Sequence, residues 1–379
     1  MCGTMTGMRV MICVALLFLS GARAQCCTGF CASGRGLVLA GNNEDYNKPF
    51  TKMWFVPAEQ GTYGRVYVGF DNFWPQGGMN ERGVFFDGFA TERLPAASSA
   101  GKEVFRGNLL DRAMAECATV EQVIALFEKY NRSFLENAVL FFADANGDSV
   151  IVEPNAILRK QGRYQVQTNF HQSRVKPGEI PCERYKIAAS MLDEAGENIS
   201  VALFRRILAA THAEGTNPTL YSNIYDLKRR VMYLYHFHNF ENVVTIDLAA
   251  ELKKGKRALD LPTLFPRTFA AELFARNRQR ERERPIAKVD PRLYDAYAGG
   301  YELPTGITLE ISRDGDRLFV DASGYASGYA KLELFPESET KFFLKTMSAQ
   351  VTFVRGERGR VDRLIIRQDG QETVAERFQ

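Results

Sequence analysis

The chain has 379 residues, 45% of them hydrophobic and 12% aromatic, enough to bury a sizeable core in one large domain or two unequal ones. With 48 basic against 45 acidic side chains the net charge is only +3, which excludes intrinsic disorder and supplies no field of the kind nucleic acid binding needs. Its 7 cysteines are too few and too scattered for a disulfide scaffold, although a single Cys117 to Cys182 bridge is permitted.

Residues 1–24 read as a secretory leader: Arg9, the apolar run Val10 to Leu19, then Gly21-Ala22-Arg23-Ala24, small residues where a signal peptidase cuts. The run is shorter than the roughly 20 residues a spanning helix wants. The expectation is an exported chain, secreted or periplasmic, with no stable membrane span. Cleavage after Ala24 leaves Gln25 and Cys26 ahead of Cys27, and either further trimming or a cut directly after Cys26 makes Cys27 the first residue.

Downstream, Gly36 to Gly41 and Trp54 to Pro57 read as strands, with Asn42-Asn43-Glu44-Asp45 as the polar turn between them. Arg65 to Phe70 alternates as a strand, Gln76 to Gly83 is a glycine-flanked loop, and Val84 to Phe89 is a strand leaving it. Helices are expected over Arg106 to Cys117 and over Thr119 to Tyr130, the second opened by a threonine cap. Ala138 to Ala143 and Ser149 to Glu153 flank Asp144-Ala145-Asn146-Gly147-Asp148 as a hairpin. Arg184 to Ala195 and Val201 to His212 are helical by period, after which Asn223 to Tyr235 and Val243 to Ile246 return to strand. Strands, helices and strands again predict an α+β layering rather than a parallel βαβ wind. Residues 276–290 form a charged linker whose alternating signs cancel, and 291–379 is a run of short alternating strands, a small all-β barrel or compact sandwich.

A cysteine at a mature amino terminus carries its own base, because a free α-amine with pKa near ~7.7–8.0 accepts the thiol proton directly or through a water. Asp45 is placed in sequence to position that amine. An oxyanion needs preorganised donors, each worth roughly 2.7–4 kcal/mol when lost, and Asn80 and Asn169, on glycine-rich or strand-end loops, suit that task. The aromatic loop Phe70 to Pro75 presents Phe73 and Trp74 as lining for an apolar acyl pocket. No cofactor is called for. With only 4 histidines, His236 and His238 on one strand face have no carboxylate at ligand spacing and read as structural rather than as a metal site.

Six blocks occur in order: Cys27-Thr28-Gly29-Phe30, Gly41-Asn42-Asn43-Glu44-Asp45-Tyr46, Gly78 to Val84, Thr168-Asn169, Glu183-Arg184-Tyr185, and Tyr221 to Asp226. This series resembles the choloylglycine hydrolase and penicillin V acylase family, amino-terminal-nucleophile hydrolases of linear amide C–N bonds, from Cys27 to Leu252. The resemblance implies an αββα sandwich over 27–275, two antiparallel sheets between helical layers. It further implies Cys27 as nucleophile, Asp45 as partner of its amine, Asn80 and Asn169 at the oxyanion, and Arg184 as a supporting cation. The family often carries arginine where Asn42 stands, so Asn42 takes a substrate-binding position without its charge. Penicillin V, bile salts, N-acyl homoserine lactones and N-acyl amino acids all stay open as substrates. The carboxy-terminal strands are similar to the small lipocalin-like barrel appended to some serine β-lactamase-related peptidases, and read as accessory.

The expected activity is hydrolysis of a small-molecule N-acyl amide through an acyl-enzyme. An acyltransferase would use the same intermediate, and a non-catalytic binding protein would keep the fold without exposing Cys27. Simpler roles exist for each residue: Cys27 and Cys31 as core thiols, Asp45 and Asn80 as turn formers, Asn169 as a strand-end cap and Arg184 as a helix-surface cation. A homo-oligomer is left open.

Overall fold

Two antiparallel sheets stack face to face, each covered on its outer side by a pair of helices, and a closed barrel follows them in the chain. The computed structural model describes residues 27–378 apart from 177, 281–283, 305, 322–330, 346–348, 357–358 and 369–370; the expected leader, Gln25 and Cys26 lie outside the described residues.

The sandwich comprises β1 (Thr28–Gly34), β2 (Leu37–Asp45), β3 (Thr51–Val56), β4 (Arg65–Phe70), β5 (Pro75–Asn80), β6 (Phe85–Ala90), α1 (Leu109–Glu116), α2 (Val120–Lys129), β7 (Ala138–Ala143), β8 (Ser149–Val152), β9 (Ile157–Arg159) and β10 (Tyr164–Gln167). It continues through α3 (Glu183–Ala195), α4 (Val201–Ala210), β11 (Thr219–Asp226), β12 (Val231–His236), β13 (Asn239–Asp247), α5 (Leu248–Leu252), β14 (Arg257–Asp260) and α6 (Phe269–Arg280). The first sheet runs β10-β1-β2-β11-β12-β13 and the second β14-β3-β4-β5-β6-β7-β8-β9. Phe85, Phe89, Met79, Tyr221 and Tyr225 fill the space between the sheets together with Cys27 and Cys31. One helical layer, α1 and α2, packs Leu110, Met114, Val123 and Phe127 on the second sheet; the other, α3 and α4, packs Leu192, Phe204 and Leu208 on the first. The α+β sandwich expected from the sequence is therefore present, with all four layers.

Local signals account for several boundaries. Thr119 caps α2 through Gln122 N, as its position predicts. The helix expected from Arg106 starts later, because Asn108 accepts from Asp111 N and caps α1 there. Asp144 Oδ1 accepts from Asn146 N and Asp148 N, the local hydrogen bonding that makes an Asp-led turn.

Three expectations are corrected. Asn42 to Asp45 is no turn: all four residues are buried within β2, the strand that pairs with both β1 and β11. Gln76 to Asn80 is not loop but most of β5, whose glycines lie against neighbouring backbone; a Cβ on Gly78 would meet Val66 O at 2.4 Å. The charged stretch from Arg276 is helical as far as Arg280, the last turn of α6. In addition, the single strand read over Asn223 to Tyr235 is a hairpin, β11 and β12, turned at Leu227 to Arg230. The permitted disulfide is not formed: Cys117 follows α1 in one outer layer, Cys182 precedes α3 in the other, and both are free thiols.

The barrel closes β15 (Gly299–Glu302), β16 (Thr308–Asp314), β17 (Arg317–Asp321), β18 (Lys331–Pro336), β19 (Lys341–Leu344), β20 (Ala349–Arg355), β21 (Val361–Gln368) and β22 (Gln371–Phe378) through a β15–β22 pairing. Closure leaves no unpaired edge. Tyr297 stacks on Phe353 with ring centroids 4.3 Å apart at the centre of its core.

Gly83 ends the turn after β5 with φ at +82°, and a Cβ there would lie 2.3 Å from Leu227 O. Gly83→Ala is expected to destabilise the sandwich by about 1–3 kcal/mol, read as a lower urea midpoint; an unchanged midpoint would show that this turn adapts.

Candidate active site

Cys27 sits at the head of β1, where both neighbouring strands have ended their hydrophobic stretches. Continuing the β1–β2 register by one residue sets Cys27 beside Glu44, and continuing the β1–β10 register by two sets it beside Asn169. Glu44 in turn pairs with Tyr221 on β11. Directly paired residues of an antiparallel sheet share a face, so Asn169, Cys27, Glu44 and Tyr221 make one row across the first sheet. The next row on that face is Gly29, Asn42 and Asn223.

The alternation along β2 divides its polar residues between two environments. Asn43 and Asp45 face the helical layer. Asn43 Nδ2 donates to Leu208 O at 2.9 Å and to Thr211 Oγ1 at 3.1 Å, while Asp45 accepts from Arg184 Nη1 and from Thr219 Oγ1, both at 2.5 Å. Asn42 and Glu44 face the space between the sheets. Asn42 Nδ2 donates to Asp87 Oδ1 at 3.2 Å and Asn42 Oδ1 accepts from Asn223 Nδ2 at 3.0 Å.

The second sheet supplies Asp87, whose Oδ2 lies 3.1 Å from where a Cβ of Gly29 would be, with Phe89 Cζ closer still at 2.6 Å. Only glycine lets this side chain approach β1 so nearly. Among the described residues Glu44 Oε2, Asp87 Oδ2, Asn223 Oδ1, Tyr221 OH and Tyr225 OH are buried without a hydrogen-bond partner. Such concentration of unsatisfied polar atoms is costly in a core and marks sites with another purpose.

Electrostatics follow from this geometry. Burial is the main cause that pushes the Cys27 thiol well above its ordinary range, and the charges of Glu44, Asp45 and Asp87 add to it. Burial likewise raises Glu44, helped by the Asp45 charge, with the Cys27 side chain hydrogen-bonded to it; Asp87 is raised by burial and by Glu44. Arg184 is lowered to about 10 by burial, which leaves it cationic near neutral pH. With no free amine beside it, Cys27 is a neutral and poorly nucleophilic thiol.

The sequence-derived candidates are thus partly assembled. Cys27, Asp45, Asn169 and Arg184 come to one end of the first sheet. Asn169 Nδ2 donates to Ala90 O at 2.8 Å, which joins the ends of β10 and β6 and still leaves one N–H of that amide. Asn80 does not supply a donor: Nδ2 is taken by Met114 O and Cys117 O, and Oδ1 by Arg82 N and Val84 N, so the residue holds the turn after β5 to α1. Asn42 is fully buried between Asp87 and Asn223, not open to a ligand. Trp74 lines a cavity on the outer side of the second sheet, whereas Phe73 packs edge-on against Trp54. His236 and His238 do not share a strand face, because Phe237 and His238 turn with φ at 48°; their rings stack on Phe265 and His212.

Glu44, Asp87, Tyr221, Tyr225 and Asn223 were not singled out from the sequence. A turn assignment over Asn42 to Asp45 hid the alternation that sets Glu44 beside Cys27. Asp87 stands two residues after the start of an otherwise apolar strand, and that lone buried carboxylate was the available signal.

Residues 283–377 match the family model described as "Domain of unknown function (DUF3471)". Penicillin-binding protein 4* of Bacillus subtilis (strain 168) is 36% identical over 99 residues, 25% of this chain; the chain spans 21% of that relative's length. Among solved structures, a mutant conjugated bile acid hydrolase from Clostridium perfringens aligns at 17% identity and TM-score 0.49, covering 64% of this chain and 97% of that one. Penicillin V acylase from Agrobacterium tumefaciens aligns at 19% identity and TM-score 0.38, covering 62% and 91%. The Caenorhabditis elegans ortholog of N-acylethanolamine-hydrolyzing acid amidase aligns at 14% identity and TM-score 0.42, covering 62% and 100%.

Because Glu44 and Asp87 titrate higher in the fold than in the open chain, the folded state holds extra protons once pH passes the ordinary carboxylate range. Stability is then full at low pH and falls as pH rises, by up to about 1.4 kcal/mol per pH unit for each such group. For protein with residues retained before Cys27, the melting temperature is expected to drop between about pH 5 and pH 8, and Asp87→Asn to flatten that drop; a pH-independent melting temperature in both would refute this charge assignment.

Proposed function

We propose that this chain is an exported amidase in which removal of the residues before Cys27 exposes an amino-terminal cysteine nucleophile. The observation that carries the reading is the row Asn169, Cys27, Glu44 at the open end of the first sheet, in a chain whose six sequence blocks resemble amino-terminal-nucleophile hydrolases.

The chemistry balances as follows. The Cys27 α-amine takes the thiol proton as sulfur attacks the amide carbonyl carbon, and the remaining N–H of Asn169 donates to the oxyanion. The ammonium then protonates the departing nitrogen, the C–N bond breaks and an amine leaves. Water, deprotonated by the same amine, adds to the thioester; the C–S bond breaks, the acid is released and the thiol is restored.

Charge on the inner face gives processing a second effect. Arg184 is committed to Asp45, so the buried carboxyl groups Glu44 and Asp87 have no described cation. An α-ammonium on Cys27 places a positive charge beside Glu44, favours the ionised carboxylate and holds the amine against the thiol. In this reading Glu44 is the amine's counter-ion. Asp45, turned to the other face, fixes the end of β2 through Arg184 and Thr219.

Amino-terminal sequencing and intact mass of protein from an exporting host test the proposal. Cys27 is expected as the first residue, and Cys27→Ser to cut amide turnover by about three orders of magnitude or more. A chain beginning uniformly upstream of Cys27, or wild-type turnover in Cys27→Ser, sinks it. Iodoacetamide separates Glu44 from its neighbours: in processed protein Glu44→Gln is expected to move the alkylation pH profile of Cys27 to lower pH, since the amine loses its counter-ion and its pKa falls. An unmoved profile would return that role to Asp45.

A further inference from the structure

The segment carrying Asn169 leaves the end of β10 and runs to Val175, and two glutamines brace its backbone from within. Gln167 Nε2 donates to Phe170 O at 2.8 Å, while Gln172 Nε2 donates to Gln167 Oε1 at 2.7 Å and to Val166 O at 2.6 Å. Phe170 meets the ring of Tyr185 on α3 with centroids 5.8 Å apart. The segment bearing the proposed oxyanion donor is therefore no free loop.

Asn169 and His171 stand two residues apart and reach the same neighbour. Asn169 Nδ2 donates to Ala90 O at 2.8 Å, and His171 Nε2 lies 2.9 Å from Glu92 O, two residues along the chain leaving β6. A carbonyl oxygen only accepts, so this second contact requires the ring proton on Nε2. The chain leaving β6 is itself fixed, by Thr91 N to Asn137 O at 2.9 Å and by Leu94 N to Glu136 O at 2.7 Å. The two side chains are thus successive rungs between an anchored strand exit and the Asn169 segment.

The second ring nitrogen of His171 faces a carboxyl group. Glu153, the residue after β8, is fully buried, and Arg132 Nε donates to its backbone O at 3.1 Å. Glu153 Oε1 accepts from Ser173 N at 3.2 Å, Oε2 accepts from Ser173 Oγ, and His171 Nδ1 stands 4.0 Å from Oε2. Among the described residues, every partner of this side chain lies in the segment just after Asn169. Burying a carboxyl group is costly unless its hydrogen bonds are supplied. Here those bonds hold one segment, the one that presents Asn169.

We propose that His171, held in place by Glu153, is a positioning residue for the oxyanion donor. By tying the segment to the exit of β6 it keeps Asn169 Nδ2 on Ala90 O, and so keeps the second N–H of that amide aimed at the substrate carbonyl. A displacement of about 1 Å at such a donor can cost about a hundredfold in rate. This role rests on the amidase reading of the chain and adds to it the device that orients the donor.

The test uses the full processed chain with acetyl, phenoxyacetyl and decanoyl p-nitroanilides, and with the thioanilide of whichever is turned over fastest. Sulfur accepts hydrogen bonds weakly, so thioanilide hydrolysis draws little on an oxyanion donor. His171→Leu is expected to lower kcat for the anilide about tenfold or more with KM within about twofold, and to lower the anilide-to-thioanilide ratio as Asn169→Ala does. His171→Gln, whose amide N–H can stand in for Nε2–H, is expected to restore most of both. In the Asn169→Ala background His171→Leu is expected to add no further loss. Glu153→Gln, which keeps the shape and removes one acceptor, is expected to lower the ratio in the same direction, and it carries the test if His171→Leu does not fold. Equal losses on anilide and thioanilide, or losses that add to those of Asn169→Ala, make His171 merely structural and overturn the proposal; an unchanged ratio in Glu153→Gln overturns the part given to that residue. If no anilide is hydrolysed, the amidase reading falls, and the Asn169 side-chain amide resonances of Cys27→Ser protein labelled with 15N-asparagine still decide the positioning. They are expected to shift in His171→Leu and to return in His171→Gln, and resonances that stay unmoved overturn it.

Discussion

Everything at the candidate site depends on one strand being polar where it should be apolar. β2 is paired on both sides and buried on both faces, yet it ends in Asn42-Asn43-Glu44-Asp45. A buried polar group is tolerated only when its hydrogen bonds are supplied, and the fold supplies them differently on the two faces. On the helical side Asn43 and Asp45 are fully met by α4, Thr219 and Arg184. On the inner side the satisfaction is incomplete, and that is the side Cys27 faces. Structural and chemical duties are thus separated by the two-residue period of a strand.

This separation explains what the sequence disclosed and what it concealed. Helices α2 and α4 were legible because amphipathic period and a threonine or serine cap agree, and α3 from its period without a side-chain cap. The 144–148 turn was legible because an Asp-led, glycine-bearing loop has few alternatives. The barrel was legible from alternating short strands. The Asn42 to Asp45 run failed because turn chemistry and buried polar chemistry draw on the same residue types. Only the pairing of β1 and β11 with it, contacts remote in sequence, tells the two apart. Asn80 failed for the converse reason: an asparagine before Glu-Arg-Gly is a turn former with every hydrogen bond used.

The second sheet and its helices stand to the site as a frame. Arg65 and Tyr67 of β4 both bind Asp111 in the first turn of α1, fixing the helix whose cap residue borders the cavity. The barrel rests against the segment leading into that helix. Contact between the two units is thus local, made where the turn from β15 to β16 meets Phe105, three residues before the α1 cap.

Glu44, Asp87 and the thiol of Cys27 also bear on oxidation. Sulfur is attacked by oxidants as thiolate, and exposure is needed as well. With residues retained before it, Cys27 is 5% exposed and its proton is held by burial and by surrounding carboxyl groups. A freed amine that makes the thiol a nucleophile also makes it vulnerable to sulfenic acid formation. On the proposed reading, catalytic competence and sensitivity to peroxide would arrive in the same cleavage event, and the thiol would stay chemically quiet until then.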